Sequence, residues 1–186
     1  MLSSARSSTS DGQDRVSGSI RSRSPIDPKE FRRTLGHFCS GVTVLAGYDA
    51  DGSPLGMACQ SFTSLSLDPP LILVCPGQQS KSWPRIAASG RFSVNVLADD
   101  QAEISAAVGR SGPDKFAGID WQKTPHGALV LDGVLAWLDC DIETVHPGGD
   151  HWIVVGAVRQ LAVVRDGDPL LFFRGGYGLP DSSDPR

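Results

Sequence analysis

Ser61-Phe62-Thr63-Ser64-Leu65-Ser66-Leu67-Asp68-Pro69-Pro70, running on into Leu71-Ile72-Leu73-Val74-Cys75, is the stretch on which the fold turns. Small hydroxyl residues alternate with Phe62, Leu65 and Leu67, so one side is built to pack while the other presents hydroxyls and backbone amides. The Pro69-Pro70 pair has no N–H for a ladder and holds Asp68 extended, which ends one element before the strand Leu71–Cys75 begins. A strand edge left partly unpaired in this way offers backbone donors to a flat, acceptor-rich ligand. An ordinary polar strand and turn has the same local pattern.

The segments on either side read as more strands. Val42–Tyr48 is apolar and β-branched, and Asp49-Ala50-Asp51-Gly52 is a hairpin-type turn returning through Pro54–Ser61. Phe92–Leu97, Val134–His146, His151–Val164 and Pro169–Phe173 follow. In Val134–His146 a period of two puts Val134, Ala136, Leu138, Cys140 and Ile142 on one face and Asp139, Asp141 and Glu143 on the other. Helices are few. Asp27 caps one that starts at Pro28 and carries a stripe of Phe31, Leu35 and Phe38. Ser82–Ala88 is a second, stopped by Gly90, and Asp99–Val108 a third. Gly109–Gly133 reads as a loop studded with Gly and Pro, of the kind that forms a lid or a binding edge. About seven strands at hairpin spacing make the chain mainly β, an antiparallel barrel with a few short peripheral helices. No G-x-G-x-x-G follows a strand, so a nucleotide would not bind by the Rossmann scheme.

Composition narrows the function. The 186 residues, 40% of them hydrophobic, suffice for one domain with a sizeable core. A formal charge of −4 argues against nucleic acid as a partner. No apolar run approaches the roughly 20 residues that cross a bilayer. Residues 1–26 form a Ser/Arg-rich tail, expected to be disordered and lacking the apolar core of a secretory signal. The domain is placed at 27–179, with a flexible end at 180–186, and the cytoplasm is the expected compartment. Cys39, Cys59, Cys75 and Cys140 lie far apart with no C-x-x-C pair, and read as reduced thiols. A catalytic thiol would be lodged at Cys39 or Cys59. No metal site is expected.

Three clusters could carry chemistry. Gln78-Gln79-Ser80-Lys81-Ser82-Trp83-Pro84 puts two hydroxyls, an ammonium and free N–H groups in one turn, with Trp83 as a flat wall. It suits a cofactor phosphate, and equally a plain cap with a solvated lysine. His146-Pro147-Gly148-Gly149-Asp150-His151 is a tight hairpin in which Asp150 could orient the His151 imidazole at a pocket mouth. Exposed histidines on a structural turn are the other reading. Arg174-Gly175-Gly176-Tyr177 lets the backbone swing an Arg and a Tyr towards another element or a ligand. Asp114-Lys115-Phe116 reads as a short turn closing over something or simply packing. No Ser-His-Asp order, catalytic carboxylate pair or P-loop is present, so any chemistry is a cofactor's.

Taken in order, these segments resemble the flavin reductase family of split-barrel proteins. The likeness runs through Phe31-Arg32 to Phe38, Gly41-Val42-Thr43-Val44, Ser61–Ser66 with Pro69-Pro70, Ser80-Lys81-Ser82-Trp83, Gly90–Leu97, Asp114-Lys115-Phe116, Gly149-Asp150-His151 and Gly175-Gly176-Tyr177. It covers roughly residues 27–179 and is similar above all to the reductase components of two-component aromatic monooxygenases, including those of actinobacterial steroid breakdown. The resemblance implies a homodimer of Greek-key split barrels that binds FMN or FAD. The isoalloxazine would lie along Gln60, Ser61, Phe62, Thr63, Ser64 and Leu65. Ser80, Lys81, Ser82 and Trp83 would take the ribityl-phosphate end, helped by Thr43, Val44 and Asn95. Gly149, Asp150 and His151, with Tyr177, would hold NADH or NADPH, with His151 the residue placed at the reaction. Reduced flavin would then diffuse to a partner monooxygenase. A carrier or sensor without turnover, and an enzyme that keeps its flavin and oxidises its own substrate, are the competing readings. A 2′-phosphate on the nicotinamide nucleotide would need an arginine, for which Arg85, Arg91, Arg110 and Arg174 are candidates.

Overall fold

The run Val42–Tyr48 is apolar at nearly every position because the strand it forms is buried on both faces. In the computed structural model, which describes residues 25–112 and 114–179, Val42, Val44 and Ala46 face one core and Leu45 another, all at most 2% exposed. In chain order the elements are α1 (Pro28–Leu35), β1 (Ser40–Gly41), β2 (Thr43–Tyr48), β3 (Pro54–Cys59), β4 (Thr63–Leu67), β5 (Pro70–Val74), α2 (Trp83–Ala87) and β6 (Arg91–Val96). A 3₁₀ turn (Asp99–Gln101) leads into α3 (Ala102–Gly109), followed by β7 (Trp121–Lys123), β8 (Leu129–Leu131), β9 (Ala136–Gly148), β10 (His151–Val163), β11 (Leu171–Phe173) and β12 (Gly176–Tyr177). The described chain is mainly β and antiparallel, a split barrel with few short helices.

Its main sheet has the strand order β3-β2-β6-β9-β10-β5-β4, all neighbours antiparallel. Inside lie Leu45, Ile72, Val74, Phe92, Val94, Cys140 and Val154, with Trp83 and Ile86 of α2 packed among them. Trp83 meets Phe92 edge-on at 5.7 Å. A second core on the other face of β2 joins Leu97, Val108, Leu129, Leu131, Val134 and Leu170. Between β3 and β4, Ser61 is tied to the end of β5: its Oγ accepts from Cys75 N at 2.8 Å and donates to Cys75 O at 3.2 Å.

Several expectations need correction. Gly109–Gly133 is not all loop. It contains the β7–β8 hairpin, whose Ala128–Leu131 are at most 3% exposed. Strands of three residues, set between Pro125 and Gly133, are too short to show a period. Asp139, expected on the solvated face of β9, is 2% exposed, because Arg91 pairs with it and the 125–128 segment closes over it. Leu65 and Leu67 stay 48% and 91% exposed on edge strand β4, and Phe31, Leu35 and Phe38 of the α1 stripe 51–81%. No layer of the described residues covers either face. The Ser82–Ala88 helix is shorter than expected, and its start is capped by Ser80, whose Oγ accepts from Trp83 N at 3.1 Å; Ser82 makes no cap bond. The tail through residue 24 and the segment 180–186 lie outside the described residues.

Candidate active site

The hairpin of β9 and β10 turns on Gly149 and Asp150, with Gly149 at φ +77°, a conformation that L side chains rarely adopt. The turn carries His151 at the first position of β10. A single bridge to Gly77 fixes it: Gln78 N donates to Asp150 O and Trp152 N to Pro76 O, both at 2.9 Å. His151 Nδ1 lies 2.7 Å from Asp150 Oδ1. That hydrogen bond, reinforced by the imidazole's charge, holds the Asp150 carboxyl below its ordinary range. The other ring nitrogen lies over Gly77, where a Cβ would come within 3.7 Å of Nε2.

Next to this turn the chain leaves β3 at Cys59 and runs irregularly through Gln60, Ser61 and Phe62 before β4 begins. Among the described residues none of these three backbone N–H groups donates to a backbone carbonyl, and that of Ser61 reaches the Cys59 thiol. Backbone donors outside a ladder form the kind of edge that accepts a flat ligand's carbonyls and ring nitrogens. From the far side β12 contributes Tyr177, whose hydroxyl donates to Ser105 Oγ of α3 at 2.9 Å and whose ring packs edge-on against Phe172. The result is a cleft of ≈ 320 Å³ whose lining includes Met57, Gln60, Ser61, Gly77, Ser105, His151 and Tyr177. An open cleft with apolar walls and backbone donors outside a ladder on one edge fits a planar flavin ring.

The structure therefore brings Gln60, Ser61, Asp150, His151 and Tyr177 to one place, with Phe62, Thr63, Ser64 and Leu65 continuing along the same edge. It does not bring every expected residue there. Thr43 is 3% exposed with its hydroxyl donating to Cys59 O at 2.8 Å, and Val44 is fully buried. Trp83 is core and offers no wall. Asn95 is fully buried in the second core, where Leu131 N donates to its Oδ1 at 2.9 Å and its Nδ2 donates to Leu129 O at 3.1 Å. These side chains are occupied in holding the fold.

In the Ser80–Trp83 turn, Ser82 is 5% exposed and its Oγ accepts from Lys115 Nζ at 3.1 Å. Lys115 also donates to Val108 O, and burial pushes its pKa down, with Arg85 adding to the effect. Asp114-Lys115-Phe116 is thus a pin, with Phe116 lying flat against Gly56. Ser80 and Lys81 remain outward, and Ser80 Oγ reaches Met57 Sδ in the cleft wall at 3.5 Å.

Neither histidine pair nor thiol makes a second centre. His146 pairs with Ile153 within the ladder, and no group of three metal-ligating side chains occurs among the described residues. Burial raises the Cys59 thiol, and pushes Cys140 up to about 12. Met57, Gly77 and Ser105 were not legible in the sequence as cleft residues. Gly77-Gln78 carries a weak signal as the turn after β5, but Ser105, within α3, carries none.

Comparison with known proteins agrees with this geometry. Residues 35–179 match the model of the flavin reductase like domain. Over 162 residues the chain is 53% identical to the reductase subunit HsaB of a flavin-dependent monooxygenase from Rhodococcus jostii, covering 86% of this chain and 83% of that one. A crystal structure of a nitrilotriacetate monooxygenase component B homolog from Mycobacterium thermoresistibile superposes with a TM-score of 0.78 at 50% identity, covering 85% of this chain and 90% of that one. The NADH:FAD oxidoreductase SgcE6 of Streptomyces globisporus, solved with NAD and FAD fragments, gives 0.76 at 34% identity, over 87% of this chain and 100% of its own. With a split barrel, a cleft suited to a flavin ring and a family match over nearly the whole described domain, the chain belongs to the flavin reductase family.

Proposed function

We propose that this flavin reductase uses NADH or NADPH to reduce FMN or FAD and releases the reduced flavin to a separate monooxygenase component acting in aromatic catabolism. The observation that carries the reading is the cleft itself. The irregular backbone at Gln60 and Ser61 and the His151 imidazole that Asp150 holds, distant in sequence, line one cavity together with Tyr177. The flavin supplies the redox chemistry when bound, accepting hydride from the nicotinamide. The protein's part is orientation: backbone donors hold one ring system, and His151, fixed by Asp150, positions the other. Ser80 and Lys81 are the residues we assign to the ribityl phosphate. The shallowness of the cleft suits a flavin that must leave.

The chain acts as a homodimer in this reading. Phe31 and Leu35 on α1, Phe38 just beyond it, Leu65 and Leu67 on β4, and Leu161 and Val163 on β10 are large apolar side chains left about half or more exposed, and a second copy is the simplest cover for them. Sedimentation should give twice the 19.7 kDa of one chain. We place the protein in the cytoplasm, in keeping with four free cysteines; no helix of the described residues is long and apolar enough to cross a membrane.

The decisive experiment mixes the protein with NADH and excess FMN or FAD and follows loss of the nicotinamide absorbance. Turnover that depends on added flavin supports an exchangeable-flavin reductase. Saturable flavin binding with no turnover from either nucleotide sinks the enzyme reading in favour of a carrier or sensor.

A further inference from the structure

At the C-terminal end of α1 lies a second cavity, of ≈ 590 Å³, lined by Arg32, Arg33, Gly36, His37, Arg174 and Gly175. Three guanidinium groups and an imidazole share it, and among the described residues none of the three arginines has a carboxylate within salt-bridge distance. Arg32 and Arg33 suit a helix C-terminus, whose partial negative charge favours cations. Arg174 has no such reason to be there. It comes from the turn between β11 and β12, its N–H donates to Gly36 O at 3.0 Å, and it adopts φ +47°, the one positive value at a non-glycine among the described residues. Its guanidinium lies 5.0 Å from the Phe173 ring centroid and donates to His37 Nδ1 at 3.2 Å. A strained backbone that adds a third arginine to two others, none of them ion-paired among the described residues, is arranged for an anion from outside the chain.

The pocket lies beside the cleft along the β11–β12 hairpin, where Gly175 lines the one and Tyr177 the other. Tyr177, which lines the cleft, is three residues beyond Arg174 on the same hairpin. The charge of Arg32 is felt at Asp150, where it adds to the depression of that carboxyl's pKa. The other candidate arginines are engaged elsewhere. Arg85 is bound by Asp49, Arg91 by Asp139 and Asp141, and Arg110 shares its cavity with Asp114.

We propose that the basic pocket of Arg32, Arg33, His37 and Arg174 receives the phosphate groups of the adenosine-diphosphate half of a dinucleotide whose reactive ring enters the cleft between Gln60, His151 and Tyr177. This rests on the flavin reductase reading and adds to it a site for the non-reacting half of the substrate. Two dinucleotides carry that half, the nicotinamide one and FAD, and the experiment separates them.

The test compares the wild type with Arg32→Ala/Arg174→Ala, and with Arg32→Ala alone as a change on an exposed helix face that spares the strained turn. With FMN as acceptor, kcat/KM is measured for NADH and for reduced nicotinamide mononucleotide, which lacks the adenylate half. Affinities for FAD and FMN are measured by fluorescence, and ADP-ribose is titrated calorimetrically. The double variant should lower the preference for NADH over the mononucleotide about tenfold, the effect of a lost charge-assisted hydrogen bond at a half-open site, and abolish ADP-ribose binding. A fall in FAD affinity with FMN affinity kept assigns the pocket to the flavin dinucleotide. If neither the preference for NADH over the mononucleotide nor that for FAD over FMN moves, the proposal is overturned. A wild type without flavin-dependent NADH oxidation would defeat the reductase reading alone, since the ADP-ribose and FAD titrations still decide the pocket.

Discussion

Replacing Asn95 by alanine separates a structural role from a ligand-binding one more sharply than any other single change. Its side chain is fully buried and joins β6 to β8: Oδ1 accepts from Leu131 N at 2.9 Å, and Nδ2 donates to Leu129 O at 3.1 Å. Alanine would take the Asn95 acceptor from Leu131 N in a region closed to solvent, while Leu129 O keeps the Ser93 hydroxyl at 2.6 Å. Such an orphan costs roughly 1–3 kcal/mol, and a water entering the vacated space would recover part of it. The expected loss is about 2 kcal/mol, or about 4–8 °C in Tm for a domain of this size. Urea unfolding followed by tryptophan emission measures it, Trp121 lying on the β7–β8 hairpin that Asn95 anchors. FMN affinity of the variant below its midpoint should stay within about twofold of the wild type, because nothing of Asn95 reaches the cleft. A stability loss under about 1 kcal/mol together with a large drop in FMN affinity would refute the reasoning and return Asn95 to the flavin site.

Gly156 lies where a Cβ would come within 2.8 Å of Phe92 Cζ and 3.1 Å of Ile72 Cδ1, so Gly156→Ala should cost about 1–3 kcal/mol by thermal or urea unfolding, whereas Gly41→Ala, with nothing within 4 Å, should cost little. Arg91→Leu strands the buried Asp139 carboxylate and should destabilise by about 2 kcal/mol, more than Asp139→Asn does; the double variant should recover part of the loss, and a strictly additive double-mutant cycle would contradict the pairing. Lys81→Ala should weaken FMN more than riboflavin, which has no phosphate; equal weakening in fluorescence titrations would remove Lys81 from the phosphate site. His151→Ala should raise the nicotinamide KM about tenfold with a smaller change in flavin Kd. The Asp150 carboxyl is held below its usual range, so its contact with His151 is fully present above the ordinary carboxylate pKa and is lost only as pH falls through the lower, folded value. The KM profile should therefore show no step from Asp150 between about pH 5 and 8.

What the sequence disclosed and what it withheld follow from the range of the forces involved. Strand patterns in Val42–Tyr48, Phe92–Leu97 and His151–Val164 were legible because burial writes itself along a strand, and the Gly149-Asp150 turn because only certain residues make it. The run of small hydroxyl residues, by contrast, pairs as β4 with β5 through Pro70, and the backbone outside the regular strands is the Gln60–Phe62 stretch before it. Burial from above leaves no such mark. Asn95 and Asp139 look like surface polar residues within alternating strands, and become interior only when a three-residue strand from residues 129–131 and the segment before it fold over them. The side chains of Trp83 and Ser82 are buried because a five-residue helix is pressed into the barrel, a fact fixed by residues far along the chain. The basic pocket was the hardest to foresee. Arg32 and Arg174 lie 142 positions apart, each unremarkable in its own turn, and only the hydrogen bond from Arg174 N to Gly36 O sets their charges in one cavity. Local chemistry could nominate a reactive edge, but the charges that would hold a ligand's far end depend on which turns the fold brings together.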